Sequence, residues 1–338
     1  MFFLMLPWCA IAAPAQNRGI AEGRLVNLTD PKIIVAGAEL EVLELNKGMG
    51  IIKTASTDAT GAFRIEDLTN SSRLMLRAIY KGANYHGALN FDADGKAYLE
   101  LGVYEPTASM KDIRFDSARM AFQRDEDHIH AVETYTIVNK TTPPKAYVNP
   151  EGTFRVSKAP GILEPPRIRV TAPGAEMPLT QAALESADGK SYYSLYPIRP
   201  GVTVFEVRQT LPYTDDKYVY AKKFFQDCAS LEIGVIPGDM TLTGEGLAKT
   251  ETNAERNFSV YSGGPVRANT EAEWVFAGGT PIADEEGSEI TITAGDGIVS
   301  RHARVIGPLM LLCFASALWY AYNKAPEEST GRKSGKAS

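Results

Sequence analysis

The densest group of side chains that could bind a metal is the run Asp125-Glu126-Asp127-His128-Ile129-His130. On a β-strand, alternate side chains project to the same face, so His128 and His130 would lie side by side. Two imidazoles with a nearby carboxylate, such as that of Asp127, can hold a divalent metal. An acidic turn leading into a strand has the same composition without a metal, and the pair lacks a clear third ligand. The sequence favours the turn and keeps the metal site as an alternative.

Tyrosines are concentrated in one region of the chain. They are Tyr192, Tyr193, Tyr196, Tyr213, Tyr218 and Tyr220. Exposed aromatic rings would form a surface for carbohydrate or protein, whereas on paired strands they belong to a core or to cross-strand pairs. The second interpretation is favoured.

Length and charge limit the classes of function. The chain has 338 residues and a net charge of −6, with no basic face that stands out, so we expect no nucleic-acid partner.

Cys228 is the one cysteine between Cys9, near the N-terminus, and Cys313, near the C-terminus. No disulfide is therefore expected in the part between them. Cys228 could pair between chains or be reactive, but a buried apolar role is favoured.

Both ends of the chain carry apolar segments. Residues 1–15 end in Ala13-Pro14-Ala15, which is typical of a secretion signal. Residues 304–322 contain the uncharged run from Val305 to Tyr322, whose roughly 18 residues would cross a hydrocarbon core about 30 Å thick. A buried helix of a soluble protein is the alternative, but a terminal, wholly apolar segment suits it badly.

Lys and Arg near the predicted span orient it. The tail at 323–338 is richer in them than the near upstream side, so it is predicted to be cytoplasmic. A stalk at 281–303 would then lead to an exported head, periplasmic or extracellular, on a single-pass protein of the cell membrane.

Residues 16–105 show the period-two pattern of antiparallel strands. Ala38, Leu40 and Val42 would share one face, and polar turns such as Asp58-Ala59-Thr60-Gly61 separate the apolar runs. This pattern, without a long helix, predicts a β-sandwich.

The same residues resemble a known family. Gly23-Arg24-Leu25-Val26, the run 36–42, the run Thr57-Asp58-Ala59-Thr60-Gly61-Ala62-Phe63 and the run 74–78 resemble the carboxypeptidase regulatory-like domain of bacterial envelope proteins. The resemblance implies a transthyretin-like sandwich of about seven strands, in which the Asp and Gly close a turn and the Phe enters the core. Such domains are non-catalytic modules, and a fold alone does not establish an activity.

The sequence does not favour an enzyme. A metallocarboxypeptidase needs a His-x-x-Glu pair on zinc, and we expect none of His86, His128, His130 and His302 to supply it. Gly-x-Ser-x-Gly, P-loop and dinucleotide-binding motifs are also missing from the sequence. No cofactor is predicted.

Residues 106–280 are predicted to form a second sandwich, immunoglobulin-like in character but without the Cys and Trp hallmarks. Strands are expected at 129–138, 147–156, 167–171, 191–198, 202–211, 217–225 and 231–236, with a short helix at 178–186. Residues 257–261 and 271–276 would form a final hairpin.

The predicted function is a non-catalytic binding, scaffolding or assembly module of the cell envelope, which recognises another envelope protein through an edge strand or a sheet face. Two alternatives stay open: a metal-dependent module or enzyme at His128 and His130, and an accessory subunit whose span contacts partner helices.

Overall fold

The computed structural model describes residues 18–69, 72–175 and 178–281. Within them the backbone forms 23 β-strands and one 3-10 helix, Leu45–Lys47, so the predicted all-β class is confirmed. The predicted signal peptide, membrane span and cytoplasmic tail lie outside the described residues, as does the stalk beyond residue 281.

Seven strands form the N-terminal part. They are β1 Arg18–Asn27, β2 Glu39–Glu44, β3 Gly50–Ser56, β4 Ala62–Thr69, β5 Leu74–Tyr80, β6 Ala83–Leu89 and β7 Lys96–Val103. One sheet has the order β4-β1-β7, with β1 and β7 parallel, and the other has the antiparallel order β3-β2-β5-β6. Leu25 and Phe63 from the first sheet meet Leu40 and Leu76 from the second in one hydrophobic core.

The turn between β3 and β4 has the predicted local geometry. The Asp58 carboxylate accepts hydrogen bonds from the backbone N–H groups of Thr60 and Ala62, at 2.8 and 3.0 Å. Gly61 has a left-handed backbone, with φ at +81°, and Phe63 is buried. Asp58 and Gly61 therefore close the turn that brings the Phe63 ring into the core, as expected from these residues.

We expect Gly61→Ala to lower the free energy of unfolding by about 1–2 kcal/mol, because L-residues are strained at this backbone angle. The added Cβ would also lie 3.3 Å from the Leu25 carbonyl oxygen. Urea denaturation measures the change. Gly50→Ala is the control, since Gly50 has no left-handed φ and open space around it. It should change stability by less than about 0.5 kcal/mol; equal losses in the two variants would contradict the explanation.

Sixteen further strands follow. They are β8 Pro106–Thr107, β9 Ile113–Arg124, β10 His128–Asn139, β11 Ala146–Tyr147, β12 Phe154–Ser157, β13 Arg167–Thr171, β14 Leu179–Gln181, β15 Leu184–Glu185, β16 Ser191–Ser194, β17 Gly201–Pro212, β18 Lys217–Lys223, β19 Leu231–Ile236, β20 Thr241–Gly244, β21 Ala248–Asn253, β22 Phe258–Ser262 and β23 Glu271–Ala277. The largest sheet has eight strands in the order β14-β13-β17-β10-β9-β19-β22-β21.

Three smaller sheets accompany it: β18-β23-β20, β12-β16-β15 and the parallel pair β11-β8. Side chains from the eight-stranded sheet, such as Phe122 and Phe205, pack with Phe276 of β23 and Phe154 of β12 in a second hydrophobic core. This core is rich in aromatic contacts: the ring centroids of Phe122 and Phe276 are 4.5 Å apart, and those of Phe154 and Phe205 are 4.4 Å apart.

Three sequence predictions in this part are wrong. The strand expected at 147–156 is replaced by the short strands β11 and β12, because residues 148–153 between them form no strand. The segment expected to be helical at 178–186 forms the short strands β14 and β15, because each pairs with a neighbour, β13 and β16, and this pairing overrides local helix propensity. The expected final hairpin does not form, because β22 pairs with β19 and β21 whereas β23 pairs with β18 and β20.

The two cores adjoin where the C-terminal part approaches β6. The guanidinium carbon of Arg199 lies 5.9 Å from the centroid of the Tyr85 ring. Burial of the neighbouring His86, followed by the charges of Arg199 and Arg77, lowers the pKa of His86 to about 4. The predicted boundary between residues 105 and 106 stays a prediction.

This environment makes stability depend on pH. As the pH falls, the unfolded chain binds a proton at His86 near the ordinary pKa of 6.5, whereas the folded chain binds it only near pH 4. The stabilisation is therefore present above pH 6.5 and is lost as the pH falls to about 4. We expect the free energy of unfolding to fall by on the order of 2 kcal/mol across this window.

Urea denaturation at several pH values tests this expectation. His86→Gln should flatten the slope, because the variant has no imidazole at this position to take up the proton. An unchanged slope in His86→Gln would contradict the assignment to this histidine.

Candidate functional site: an exposed edge strand and a buried ionic cluster

The two histidines of the acidic run lie at the start of β10. The structure places His128 Nδ1 2.5 Å from Asp127 Oδ1, and His130 Nε2 3.4 Å from Asp125 Oδ2. Each imidazole thus has its own neighbouring carboxylate. Among the described residues, no group of three or more His, Cys, Asp or Glu side chains is arranged to hold a metal ion.

One His-x-x-Glu spacing is present, contrary to the expectation from the sequence: His130 and Glu133. Residues three apart on a strand project to opposite faces of the sheet. The His130 side chain is 40% exposed, whereas Glu133 is fully buried. The strand therefore keeps the two side chains from meeting on one metal ion.

The predicted core role of the tyrosines is confirmed. Five of the six are buried, namely Tyr192, Tyr196, Tyr213, Tyr218 and Tyr220, and Tyr193 is half-buried. Cys228 is also buried, as predicted, and burial raises the pKa of its thiol. These side chains do not form an exposed aromatic surface.

A buried ionic cluster lies between the eight-stranded sheet and the sheet that contains β18. Glu133 Oε1 accepts hydrogen bonds from Gln209 Nε2, at 2.6 Å, and from the Tyr220 hydroxyl. Glu133 Oε2 accepts from the Tyr135 hydroxyl and from Lys222 Nζ. The Lys222 and Glu133 side chains are 1% and 0% exposed. Both carboxylate oxygens are thus fully engaged by protein donors, as a buried charge requires.

Burial dominates the electrostatics of this cluster. It raises the pKa of Tyr135 and Tyr220 well above the ordinary value, and the nearby charge of Glu133 adds to the effect. Burial lowers the pKa of Lys222, and the charge of Glu133 opposes that shift. Both tyrosine hydroxyls therefore stay protonated as donors to the carboxylate.

This cluster was not predicted from the sequence, although the position of Glu133 on its strand pointed to a buried charge. Glu133 occupies an inward position on β10, whose alternate residues Ile129, Ala131, Glu133, Tyr135 and Ile137 are all buried. A glutamate within an apolar face marks a buried charge that needs a partner. The partner, Lys222, is 89 residues away in sequence and could not be identified from the pattern.

Two cavities lie in the C-terminal part, and the smaller one adjoins the cluster. The smaller, about 20 Å³, is lined by Tyr135, Lys222 and Cys228 among others, and its volume suits one water molecule. The larger, about 220 Å³, lies beside Trp274 and Leu247, and its lining also includes the polar residues Glu245 and Arg267. Both are smaller than the roughly 300–1,000 Å³ of a typical ligand pocket.

Three exposed apolar side chains of the N-terminal part lie together at β3. Met49, Ile51 and Ile52 are 46%, 52% and 45% exposed within four residues. Strand β3 is an edge strand of its sheet, and in the described part of the chain it pairs with β2 alone. Its outer edge thus offers unpaired backbone donors and acceptors together with isoleucine side chains, which is the combination that an added strand uses.

Two further features of β3 bear on this edge. Lys53 could shield the strand, but its Nζ donates to the Glu66 carbonyl oxygen on β4, at 2.5 Å, and so points towards the other sheet. The register shift between Val42 and Leu43 leaves Ile52 without a partner residue on β2. We call Gly50–Ser56 and the preceding Met49 the β3 edge.

Comparison with known proteins does not assign the chain to a family. No protein-family model matches it, and no curated protein is significantly similar to it. No helix within the described ranges 18–69, 72–175 and 178–281 is long and apolar enough to cross a membrane.

Proposed function

We propose that this chain is a non-catalytic binding, scaffolding or assembly module of the cell envelope, and that the β3 edge is its docking strand. The observation that carries the proposal is the position of Ile51 and Ile52 on an unpaired edge. A partner in extended conformation would pair with the backbone of β3, and the isoleucines would contact its alternate side chains. The partner is an extended segment of another envelope protein.

The remaining architecture belongs to the same proposal. Residues 16–105 form a sandwich similar to the carboxypeptidase regulatory-like domain, and residues 106–280 form an immunoglobulin-like sandwich. Support comes from the two hydrophobic cores and from the seven strands before residue 104. A signal peptide at 1–15 exports the head, and the span at 304–322 anchors it with the tail in the cytoplasm.

The experiment uses the full tagged chain in its native membrane. We expect Ile51→Lys with Ile52→Lys to reduce the recovery of a co-purifying envelope protein at least about tenfold, because two charges would have to be desolvated at the contact. The control is Leu163→Lys with Leu195→Lys, at leucines that are 54% and 46% exposed in the C-terminal part. The control should keep the partner.

Two outcomes would overturn the proposal. One is undiminished recovery of the partner by the Ile51 and Ile52 variant while its thermal unfolding stays unchanged. The other is recovery of further copies of this chain alone, which would make the β3 edge a self-association surface.

A further inference from the structure

The two oxygens of the Glu133 carboxylate have different partners. Oε1 receives two neutral donors, Gln209 Nε2 and the Tyr220 hydroxyl, whereas Oε2 contacts the amine of Lys222 and the Tyr135 hydroxyl. Oε1 therefore has the hydrogen-bond donors that a neutral carbonyl oxygen would accept. Oε2 lies beside a nitrogen nucleophile.

Burial by itself disfavours the ionised form of this pair. Lys222 and Glu133 are almost completely buried. The Tyr135 and Tyr220 rings, with centroids 5.4 and 5.9 Å from Nζ, offset part of this effect because aromatic faces attract an ammonium. Removing two charges from water has a large desolvation cost. Transfer of one proton from Lys222 Nζ to Glu133 Oε2 gives a neutral amine in contact with a neutral carboxylic acid.

We propose that Lys222 and Glu133 condense to an intramolecular amide that joins β18 to β10. The Nζ lone pair attacks Cδ of Glu133, and the developing oxyanion at Oε1 is stabilised by the Gln209 amide and the Tyr220 hydroxyl. A second proton passes from Nζ to the Oε2 hydroxyl, and the C–Oε2 bond breaks. The products are one amide and one water molecule, so no oxidant or further reactant is needed.

Two physical arguments favour condensation here. Fixed contact between the two side chains replaces a bimolecular encounter, and for well-oriented groups this lowers the barrier as much as an effective concentration of up to about 10⁵–10⁸ M would. The amide also removes two buried charges, and its oxygen keeps the donors that now bind Oε1. The bond would cross-link residues 89 apart on two different sheets. In a part of the chain whose one described cysteine is free, it would do what a disulfide does elsewhere.

Mass spectrometry of the full-length wild-type chain, denatured and reduced, tests the proposal. We expect a mass lower by one water molecule than the sequence requires, relative to the Lys222→Met variant after correction for the substitution. Trypsin should yield a branched peptide in which residues 125–140 are joined to residues 218–223, because cleavage after an acylated Lys222 is blocked. Lys223→Met should retain the cross-link and serves as the matched control.

The wild-type measurement decides the matter even if Lys222→Met folds poorly. A wild-type mass without water loss would overturn the proposal. Water loss without the branched peptide would also overturn it, because dehydration at Asp94-Gly95 gives the same mass change.

Discussion

Replacing Lys222 with methionine is expected to lower the free energy of unfolding by about 3–5 kcal/mol, because removing one partner of a buried pair leaves an uncompensated charge. Glu133 is fully buried, and the cation that contacts its Oε2 would be absent. The loss is expected whether the two side chains form an ion pair or an amide, since either way the variant buries a lone carboxylate. Urea denaturation of wild type and variant gives the difference.

Two further variants identify the cause. Adding Glu133→Gln to Lys222→Met should recover part of the loss, because a neutral amide keeps a carbonyl acceptor for Gln209 and Tyr220 without a buried charge. Lys223→Met changes the next residue, whose amine lies 3.6 Å from Glu271 at the surface, and should alter stability by less than about 0.5 kcal/mol. Equal losses at Lys222 and Lys223 would contradict the account.

Phe154→Ala is expected to have an effect of similar size, about 3–5 kcal/mol, through the loss of buried aromatic surface and the cavity left behind. Phe154 is 1% exposed, and its ring centroid lies 4.4 Å from that of Phe205, 5.1 Å from that of Tyr135 and 6.4 Å from that of Phe115. It links β12 to the eight-stranded sheet. Thermal and urea unfolding measure the loss.

Size-matched and surface controls separate packing from other effects. Phe154→Leu retains most of the apolar volume and should cost about 1–2 kcal/mol. Leu195→Ala, at a leucine that is 46% exposed, should change stability by less than about 0.5 kcal/mol. A cost below about 1 kcal/mol for Phe154→Ala would show that this ring is not central to the core.

Local alternation predicted strands well where one face is buried without interruption. The expected strands at 167–171 and 231–236 have the bounds of β13 and β19. The pattern is readable because successive side chains point to opposite faces, so a buried face repeats every second residue.

Strand β9 was missed because its buried face changes parity. Ile113 and Phe115 are buried, and after Asp116 the buried positions are even-numbered, such as Ala118 and Met120. The register against β10 shifts at the same place, between Thr136 and Ile137. A bulge of this kind inserts one residue and breaks the period-two pattern in the sequence.

The pairing of strands that are distant in sequence could not be predicted from the pattern either. Residues 257–261 and 271–276 were predicted as strands and correspond to β22 and β23. Their membership in two different sheets depends on β19 and β18, which alternation does not specify. The β3 edge could not be predicted for the same reason. Two adjacent isoleucines in a strand are common, and only the structure shows that this strand lies at the edge of its sheet.

The most direct test of the docking strand is site-specific photo-crosslinking of the full chain in its native membrane. A photoreactive residue at position 51 should give an adduct with one discrete envelope protein, and the same residue at position 163, on an equally exposed leucine, should give none. Absence of an adduct from position 51, or equal adducts from both positions, would contradict the proposal that this edge binds a partner strand.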